Sequence, residues 1–200
     1  MTFLVGCNNA SKLCERISKI SDVTLVKTDS KKFPDGETYV CINEDLEGKD
    51  VVVIQSGYPS QNDALMELYL TLDAIRDMDP KSIRLILTYM PYSKQDKRFK
   101  EGEAVSSGTI LKLIKSFKIN QLSAINLHFA EGESEFDFFN MGIKNLNAAP
   151  LIEKYAKENF GDFVTVLPGK GGSQLLEHGN VIFLETRRDE YEEKGKEYFG

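Results

Sequence analysis

The sequence contains no tryptophan, only two histidines and only three cysteines, and none of its apolar runs approaches the roughly 18 residues needed to span a bilayer. Cys7, Cys14 and Cys41 show no CxxC spacing and cannot all pair with one another, so we expect reduced thiols in a cytoplasmic protein. No basic segment followed by a long apolar stretch opens the chain, which predicts no secretory signal. Basic residues are also outnumbered: 25 Lys and Arg against 31 Asp and Glu give a net charge of −6. That balance argues against a nucleic-acid-binding protein.

Short apolar runs alternate with helical patterns along the chain. The helical patterns, with apolar residues spaced by threes and fours, cover 13–20, 63–75, 110–117 and 151–158. The strand-like runs are 3–5, 24–28, 37–42, 51–55, 83–89, 122–127, 163–167 and 181–184. Alternation of strand and helix predicts parallel strands joined by crossover helices, hence a doubly wound, mostly parallel α/β sheet. The pattern restarts near residues 145–150, which predicts two domains, 1–146 and 147–200.

The most informative loop follows the strand-like run that ends at Tyr89. Within seven residues of an acidic chain it carries four cations, which are Lys94, Lys97, Arg98 and Lys100. Ligands of a parallel sheet bind at the carboxyl ends of its strands, and cations gathered there suit a polyphosphate. A solvated surface loop is the alternative interpretation of any charge run.

The segment Phe33-Pro34-Asp35-Gly36-Glu37 lies between two strand-like runs. Proline and glycine suit a turn, so composition alone favours a bare hairpin. The functional alternative is an aromatic face that stacks on a base, with two carboxylates accepting hydrogen bonds from an exocyclic amine.

Two further segments follow strand-like runs. His128 comes directly after one of them, where a histidine can be a metal ligand, an acid–base group or a hydrogen-bonded structural residue. Residues 168–172, Pro-Gly-Lys-Gly-Gly, come after another, and their glycines would let backbone N–H groups approach an anion. The spacing of a P-loop is absent from that segment. His178, beside Gly179, is typical of a helix C-terminus.

Taken in order, these motifs resemble those of the ribose-phosphate pyrophosphokinases (PRPP synthetases). The resemblance is carried by Phe33-Pro-Asp-Gly-Glu37, Asn62-Asp63 before Leu65-Met-Glu-Leu68, Pro91-Tyr-Ser-Lys-Gln-Asp-Lys97 and Leu127-His128. It covers roughly residues 1–190, and the continuation Glu101-Gly-Glu103 is most similar to archaeal members. The first three motifs together are highly specific.

The resemblance implies a phosphoribosyltransferase-like fold of two domains, the second of them apparently incomplete. It implies that pyrophosphate is transferred from ATP to the anomeric hydroxyl of ribose 5-phosphate, giving PRPP and AMP, with Mg²⁺ as cofactor. By the same resemblance, Phe33, Asp35 and Glu37 hold the adenine across a subunit interface, so a homo-oligomer, at least a dimer, is expected. No nucleic acid and no membrane is expected as a partner.

The resemblance also assigns an ATP site and a metal-proximal histidine. Lys94, Gln95, Asp96 and Lys97 would line the ATP site, with Lys94 standing where the family usually has arginine. A lysine keeps the charge but loses the bidentate fork. His128 matches the family histidine near the metal and the triphosphate, and it is expected to act as a metal ligand and in catalysis.

Several positions depart from the family pattern. Gly169 stands in place of a carboxylate expected near the metal and ribose, and Asn126 stands where an Asp is usual. Thr186 occupies the position of a lysine in the flexible-loop signature, and Arg187 or Arg188 is expected to substitute for it as a catalytic cation. The family's acidic, Gly/Thr-rich loop for the 5-phosphate would fall beyond position 200.

These departures leave alternatives open. The first hypothesis is an active ribose-phosphate diphosphokinase. The second is a non-catalytic homologue that assembles with a complete PRPP synthetase and regulates it. A different enzyme of the phosphoribosyltransferase fold is a weaker third, because such enzymes share the same ribose-phosphate loop.

Overall fold

The computed structural model of the chain describes residues 1–167, 181–187 and 197–199. The chain divides into two compact units, Met1–Leu146 and Asn147–Gly200. In the ranges described, no helix is both long enough and apolar enough to cross a membrane.

The first unit contains three helices and nine strands. The helices are α1 (Ser11–Ile20), α2 (Gln61–Asp77) and α3 (Ser106–Ser116). The strands are β1 (Thr2–Gly6), β2 (Val23–Leu25), β3 (Thr28–Lys32), β4 (Thr38–Ile42), β5 (Asp50–Ser56), β6 (Ser82–Tyr89), β7 (Gln121–Ile125), β8 (Ser134–Phe138) and β9 (Met141–Leu146). A short 3-10 helix, Asn8–Ala10, joins β1 to α1.

Seven of these strands form one sheet in the order β2-β1-β5-β6-β7-β9-β8, while β3 and β4 form a separate antiparallel pair. Every neighbouring pair in the large sheet is parallel except β8 and β9. The chain goes from β1 outward to β2, then continues on the other side of β1 with β5. The sheet is therefore doubly wound and mostly parallel, as predicted, and its topological switch point lies between β1 and β5.

Hydrophobic clusters cover both faces of this sheet. Successive residues of a strand point to opposite faces, and the larger cluster accordingly takes Val51 and Val53 of β5 while the smaller one takes Ile54. Helices α2 and α3 pack into the larger cluster, for example through Leu72 and Ile114, which are fully buried. Strands β1 and β5 have buried residues on both faces, as is usual in parallel sheets, whereas along β6 and β7 buried residues alternate with half-buried or exposed ones.

The apolar face predicted for the first helix is wrong in two positions. Leu13 is 40% exposed and Ile20 is 84% exposed, whereas Cys14 is fully buried. The sheet face beneath α1 offers only a small cluster around Leu4 and Ile54. Because the area of contact between α1 and the sheet is small, one small buried side chain, Cys14, lies at its centre instead of a row of large apolar side chains.

The hairpin of β8 and β9 was not predicted from the sequence. Its two-residue turn, Phe139-Asn140, has positive φ angles of 53° and 58°, the geometry that matches the twist of paired strands. Glycine is the usual residue at such positions. Because neither residue of this turn is glycine, the sequence did not mark it as a hairpin turn. The ring of Phe139 packs on Gly108 of α3, where an added Cβ would lie 2.6 Å from the ring.

The described residues of the second unit form one helix and two small strand pairs. Helix α4 (Ala149–Phe160) has proline in its first turn, where the missing N–H costs nothing. Strands β10 (Thr165–Leu167) and β11 (Val181–Phe183) pair in parallel, and β12 (Glu185–Arg187) pairs with β13 (Glu197–Phe199) antiparallel. The predictions for Gly169, His178 and Arg188 lie outside the described residues.

Candidate functional site

The loops that follow β5, β6 and β7 meet at the carboxyl edge of the sheet, because the three strands are parallel neighbours. A cavity of about 670 Å³ lies between the start of α2 and the loop after β6. It is lined by residues 59–63 and by Tyr89, Tyr92, Ser93, Lys94 and Gln95. Polar groups from two elements therefore converge on one opening.

A second cavity, of about 120 Å³, connects this loop to the end of β7. Lys94 and Ser93 line it as well, together with residues 125–128. Lys94 and His128, predicted separately from two loops, thus line one cavity. We call the two cavities together the carboxyl-edge crevice.

Tyr92 fixes the loop after β6 against the first turn of α2. Its φ of 57° lies in the left-handed region, and its N–H donates to the Gln61 side-chain oxygen at 2.8 Å. Its hydroxyl also contacts the Asn62 side-chain oxygen. Pro91 packs so closely on Gly57 that an added Cβ there would lie 2.7 Å from Pro91 Cγ. Helix α2 begins at Gln61, so Asn62 and Asp63 lie in its first turn.

Gln95 ties the other end of the loop to α3. Its carbonyl accepts hydrogen bonds from the N–H and hydroxyl of Ser107, at 3.2 and 3.0 Å. Its side-chain oxygen accepts from the Ser106 hydroxyl at 2.8 Å. Asp96 and Lys97 follow in the same loop, and the Lys97 ammonium lies over the Phe99 ring, 5.3 Å from the ring centroid.

Of the four cations predicted to form one cluster after β6, only one lines the crevice in the structure. Arg98 donates from Nε to the Glu103 carbonyl at 2.9 Å. The Glu103 carboxylate accepts the N–H groups of Phe99 and Lys100, both at 2.9 Å, and these hydrogen bonds lower the pKa of Glu103. The second half of the loop, residues 98–103, is thus folded around Glu103 by hydrogen bonds within the loop. Among the four cations, Lys94 is the one that lines the crevice.

A buried asparagine holds the loop that carries His128. Asn145 of β9 is 1% exposed, and its side-chain oxygen accepts the N–H of Leu127 at 2.9 Å. Its amide group donates to the Gly132 carbonyl. His128 itself is exposed and lies between these two anchored positions. Sequence reasoning missed Asn145, although it continues the alternation of core residues along β9.

The lining residues around His128 do not amount to a site that would hold Mg²⁺ by protein ligands alone. They offer one imidazole, the amide of Asn126 and hydroxyl groups, beside the ammonium of Lys94. Mg²⁺ prefers carboxylates and substrate phosphates, and no group of three His, Cys, Asp or Glu side chains suited to a metal exists among the described residues. His128 as a metal ligand stays a prediction.

The segment at 33–37 is the turn of the β3–β4 hairpin. Phe33 N–H donates to the Glu37 carbonyl at 2.8 Å, and Gly36 N–H donates to the Phe33 carbonyl at 2.9 Å. The Asp35 carboxylate accepts the N–H of Glu37 at 3.2 Å. Phe33 is 41% exposed, and neither cavity of the crevice has a lining residue from this turn. The hairpin and the crevice are therefore separate features of one chain.

The predicted catalytic arginines fall in the second unit. Arg187 is the last residue of β12, and Thr186 precedes it in the same strand. Arg188 lies outside the described residues, so the role of this pair stays a prediction.

Fold and site together define a class: a doubly wound α/β protein with a polar crevice at the carboxyl edge of its sheet. A family model for the N-terminal domain of ribose phosphate pyrophosphokinase matches residues 2–117. The chain belongs to the ribose-phosphate pyrophosphokinase family.

The relatives agree with this assignment. A ribose-phosphate pyrophosphokinase of Sulfolobus acidocaldarius is 38% identical over 192 residues, which cover 93% of this chain and 65% of that one. One from Methanothermobacter thermautotrophicus is 33% identical over 168 residues, covering 84% of this chain and 57% of its own length. This chain therefore spans between 57% and 65% of the length of these two relatives.

A solved structure shares the fold. The phosphoribosylpyrophosphate synthetase of Mycobacterium smegmatis matches with a TM-score of 0.76 at 24% identity, covering 100% of this chain and 67% of that chain. The mostly parallel α/β architecture predicted from the sequence is thereby confirmed.

Proposed function

We propose that the carboxyl-edge crevice binds the triphosphate of ATP and that the protein transfers pyrophosphate to ribose 5-phosphate. In this reaction the anomeric oxygen attacks the β-phosphorus, the bond from the β-phosphorus to the bridging oxygen of the α-phosphate breaks, and AMP leaves. The observation that carries the proposal is that Lys94 and His128, from two separate loops, line one cavity. Transfer reactions of this type depend mainly on positioning and on stabilising charge, which such a cavity supplies.

Each predicted residue has a role in this proposal. The Lys94 ammonium would stabilise phosphate oxygens as a point charge, and Gln95, already held by α3, would donate from its amide. Asp96 and Lys97 would line the ATP site from the same loop after β6. His128 would contact the triphosphate from the loop after β7. Magnesium would enter as part of the magnesium–ATP substrate.

Two features are proposed to come from outside the crevice. Phe33, Asp35 and Glu37 would hold the adenine of a nucleotide bound to a second copy of the chain, because in their own chain they line neither cavity. The working unit would then be a homo-oligomer in the cytoplasm. Arg187 and Arg188 would supply a cation to the transferred group.

The test is formation of AMP from ATP and ribose 5-phosphate by the purified protein in the presence of Mg²⁺. We expect AMP release that depends on ribose 5-phosphate, and an ATP KM raised about tenfold by Lys94→Met, which removes one charge-assisted contact. Lys100→Met is the matched control, since Lys100 belongs to the half of the loop closed on Glu103. No AMP above background would reject the catalytic proposal for this chain.

A second candidate function is a non-catalytic homologue that assembles with a complete PRPP synthetase and regulates it. The lining around His128 offers no carboxylate, with Asn126 where the family usually has an Asp, and this favours the alternative. Binding of ATP without AMP formation would support it. When the chain is co-expressed with a complete paralogue, absence of both co-purification and any change in activity would count against it.

A further inference from the structure

Glu67 is a buried carboxylate that the proposed reaction does not use. It is 5% exposed and projects from α2 toward the switch point between β1 and β5. Its two oxygens accept the backbone N–H of Asn8 at 3.1 and 3.3 Å, and one of them also accepts the Gln55 amide at 3.0 Å. A charge this deeply buried is tolerated only where hydrogen bonds replace its hydration.

Gln55 completes the network at the end of β5. It is fully buried, and its amide group donates to the Ala64 carbonyl at 3.0 Å as well as to Glu67. Its side-chain oxygen accepts the N–H of Ser56 at 2.9 Å. Such fully satisfied buried networks fix one geometry, because any displaced member leaves another unpaired.

The same network reaches out of the sheet to the hairpin. Asn8, whose backbone is held by Glu67, donates from its side-chain amide to the hydroxyl of Ser30 in β3 at 3.0 Å. Two residues further along β3, on the same face of the strand, Lys32 forms an ion pair of 2.7 Å with Asp63 in α2. At the switch point, where doubly wound sheets commonly hold a ligand, the hairpin forms one wall of a cavity of about 220 Å³ that Asn8 and Glu67 also line.

The hairpin is attached both by apolar packing and by polar contacts. Its base belongs to the hydrophobic core, since Ile42 and the nearby Val26 and Leu46 are buried, and Val40, which pairs with Ser30, packs against the same core. Ser30 and Lys32 lie in the half nearer the turn, where they add a hydrogen bond and an ion pair. Because polar contacts depend on distance and direction, they constrain the orientation of the turn more closely than apolar packing does.

We propose that Glu67 and Asn8 are positioning residues that hold the outer half of the hairpin and thereby place Phe33, Asp35 and Glu37 for contact with a nucleotide. The nucleotide part of this inference rests on the proposed function. The anchoring part concerns this chain alone and can be measured without activity.

Amide hydrogen exchange of the full chain tests the anchoring. Ser30→Ala cuts the link at an accessible position without touching the core, and Glu67→Gln weakens it from within. We expect the amides of residues 31–39 to exchange about three- to tenfold faster in either variant, the effect of losing one hydrogen bond. The double variant should exchange little faster than either single variant, because both substitutions weaken the same chain of hydrogen bonds from Glu67 through Asn8 to Ser30.

Ser18→Ala is the matched control. It removes a serine hydroxyl that donates to the Glu15 carbonyl at 3.0 Å on α1, and it should leave the hairpin unchanged. Amides of β5, β6 and β7 should also keep their wild-type exchange in Ser30→Ala. A uniform increase across those strands would mean general loosening and would overturn the anchoring role. Unchanged exchange at 31–39 in both variants would overturn it too.

Steady-state kinetics test the nucleotide part. A positioning role predicts that Ser30→Ala raises the KM for ATP about three- to tenfold, with kcat and the KM for ribose 5-phosphate within twofold of wild type. Faster exchange with an unchanged ATP KM would overturn the inference that the anchor serves nucleotide binding. Failure of the wild-type chain to bind ATP would reject the proposed function, and hydrogen exchange would then decide the anchoring by itself.

Discussion

Replacing Asn145 by alanine should loosen the loop that carries His128 and weaken nucleotide binding. Asn145 is the side chain that joins the two ends of this loop, through the N–H of Leu127 and the carbonyl of Gly132. Alanine removes both hydrogen bonds and keeps the strand intact. The loop would then lose its fixed geometry at the point where the crevice is formed.

The expected loss of stability follows from the two partners. The Leu127 N–H is buried and would be left unpaired, which costs about 1–3 kcal/mol, and the half-buried Gly132 carbonyl adds about 1 kcal/mol. The free energy of unfolding should therefore fall by about 2–4 kcal/mol, out of roughly 5–15 kcal/mol for a domain. Nucleotide affinity should fall about five- to thirtyfold, the equivalent of about 1–2 kcal/mol of lost loop ordering.

Asn120→Ala provides a matched control at the opposite edge of the sheet. The Asn120 side-chain oxygen accepts the N–H of Ile83 at 2.7 Å. This hydrogen bond lies at the amino ends of β6 and β7. Its loss should cost about 0.5–1.5 kcal/mol of stability and leave nucleotide affinity unchanged. Urea unfolding followed by circular dichroism gives the stabilities, and calorimetric titration with magnesium–ATP gives the affinities. Equal nucleotide affinities for wild type, Asn145→Ala and Asn120→Ala would refute the reasoning.

Two further predictions concern packing and thiol chemistry. Gly108→Ala should destabilise the protein by about 1–3 kcal/mol, because the added methyl group clashes with the Phe139 ring. In a Phe139→Leu background the same substitution should stabilise the protein by about 0.5–1 kcal/mol, because alanine has the higher helix propensity. Urea unfolding of the four proteins measures both effects, and a stability change of the same sign in both backgrounds would contradict the contact. Burial raises the pKa of Cys14 to about 11 and also raises that of the buried Cys7, so at pH 8 a disulfide reagent should modify only the half-exposed Cys41 until the protein unfolds. Rapid reaction of a second thiol in the folded protein would contradict that burial.

Much of the parallel sheet could be predicted from the sequence because its strands are continuous apolar runs. The run at 51–55 is buried in β5, and the periodic residues that follow form α2. The β8–β9 hairpin escaped prediction because its turn is Phe139-Asn140, without the glycine that normally marks such a turn. Both strands are short, and β8 is the edge strand of the sheet.

The candidate site was predicted in part, and for a physical reason. Charge and position within a loop identified Lys94 and His128, which line one cavity. Buried polar residues such as Asn145 and Glu67 could not be identified in this way, because their partners are backbone groups far away in sequence. Arg98 and Lys100 line neither cavity of the crevice, and a sequence does not reveal that Arg98 donates to the Glu103 carbonyl or that the Glu103 carboxylate accepts the backbone N–H of Lys100.

The most direct test of the central claim uses the scarcity of histidine in this chain. With only two histidines, the imidazole C–H resonances in a proton NMR spectrum can be assigned by comparison with His128→Gln. If the carboxyl-edge crevice binds the triphosphate, the His128 resonance shifts progressively as magnesium–ATP is added, and the shift is half complete at the Kd measured by calorimetry. Saturable ATP binding that leaves the His128 resonance in place would contradict the account.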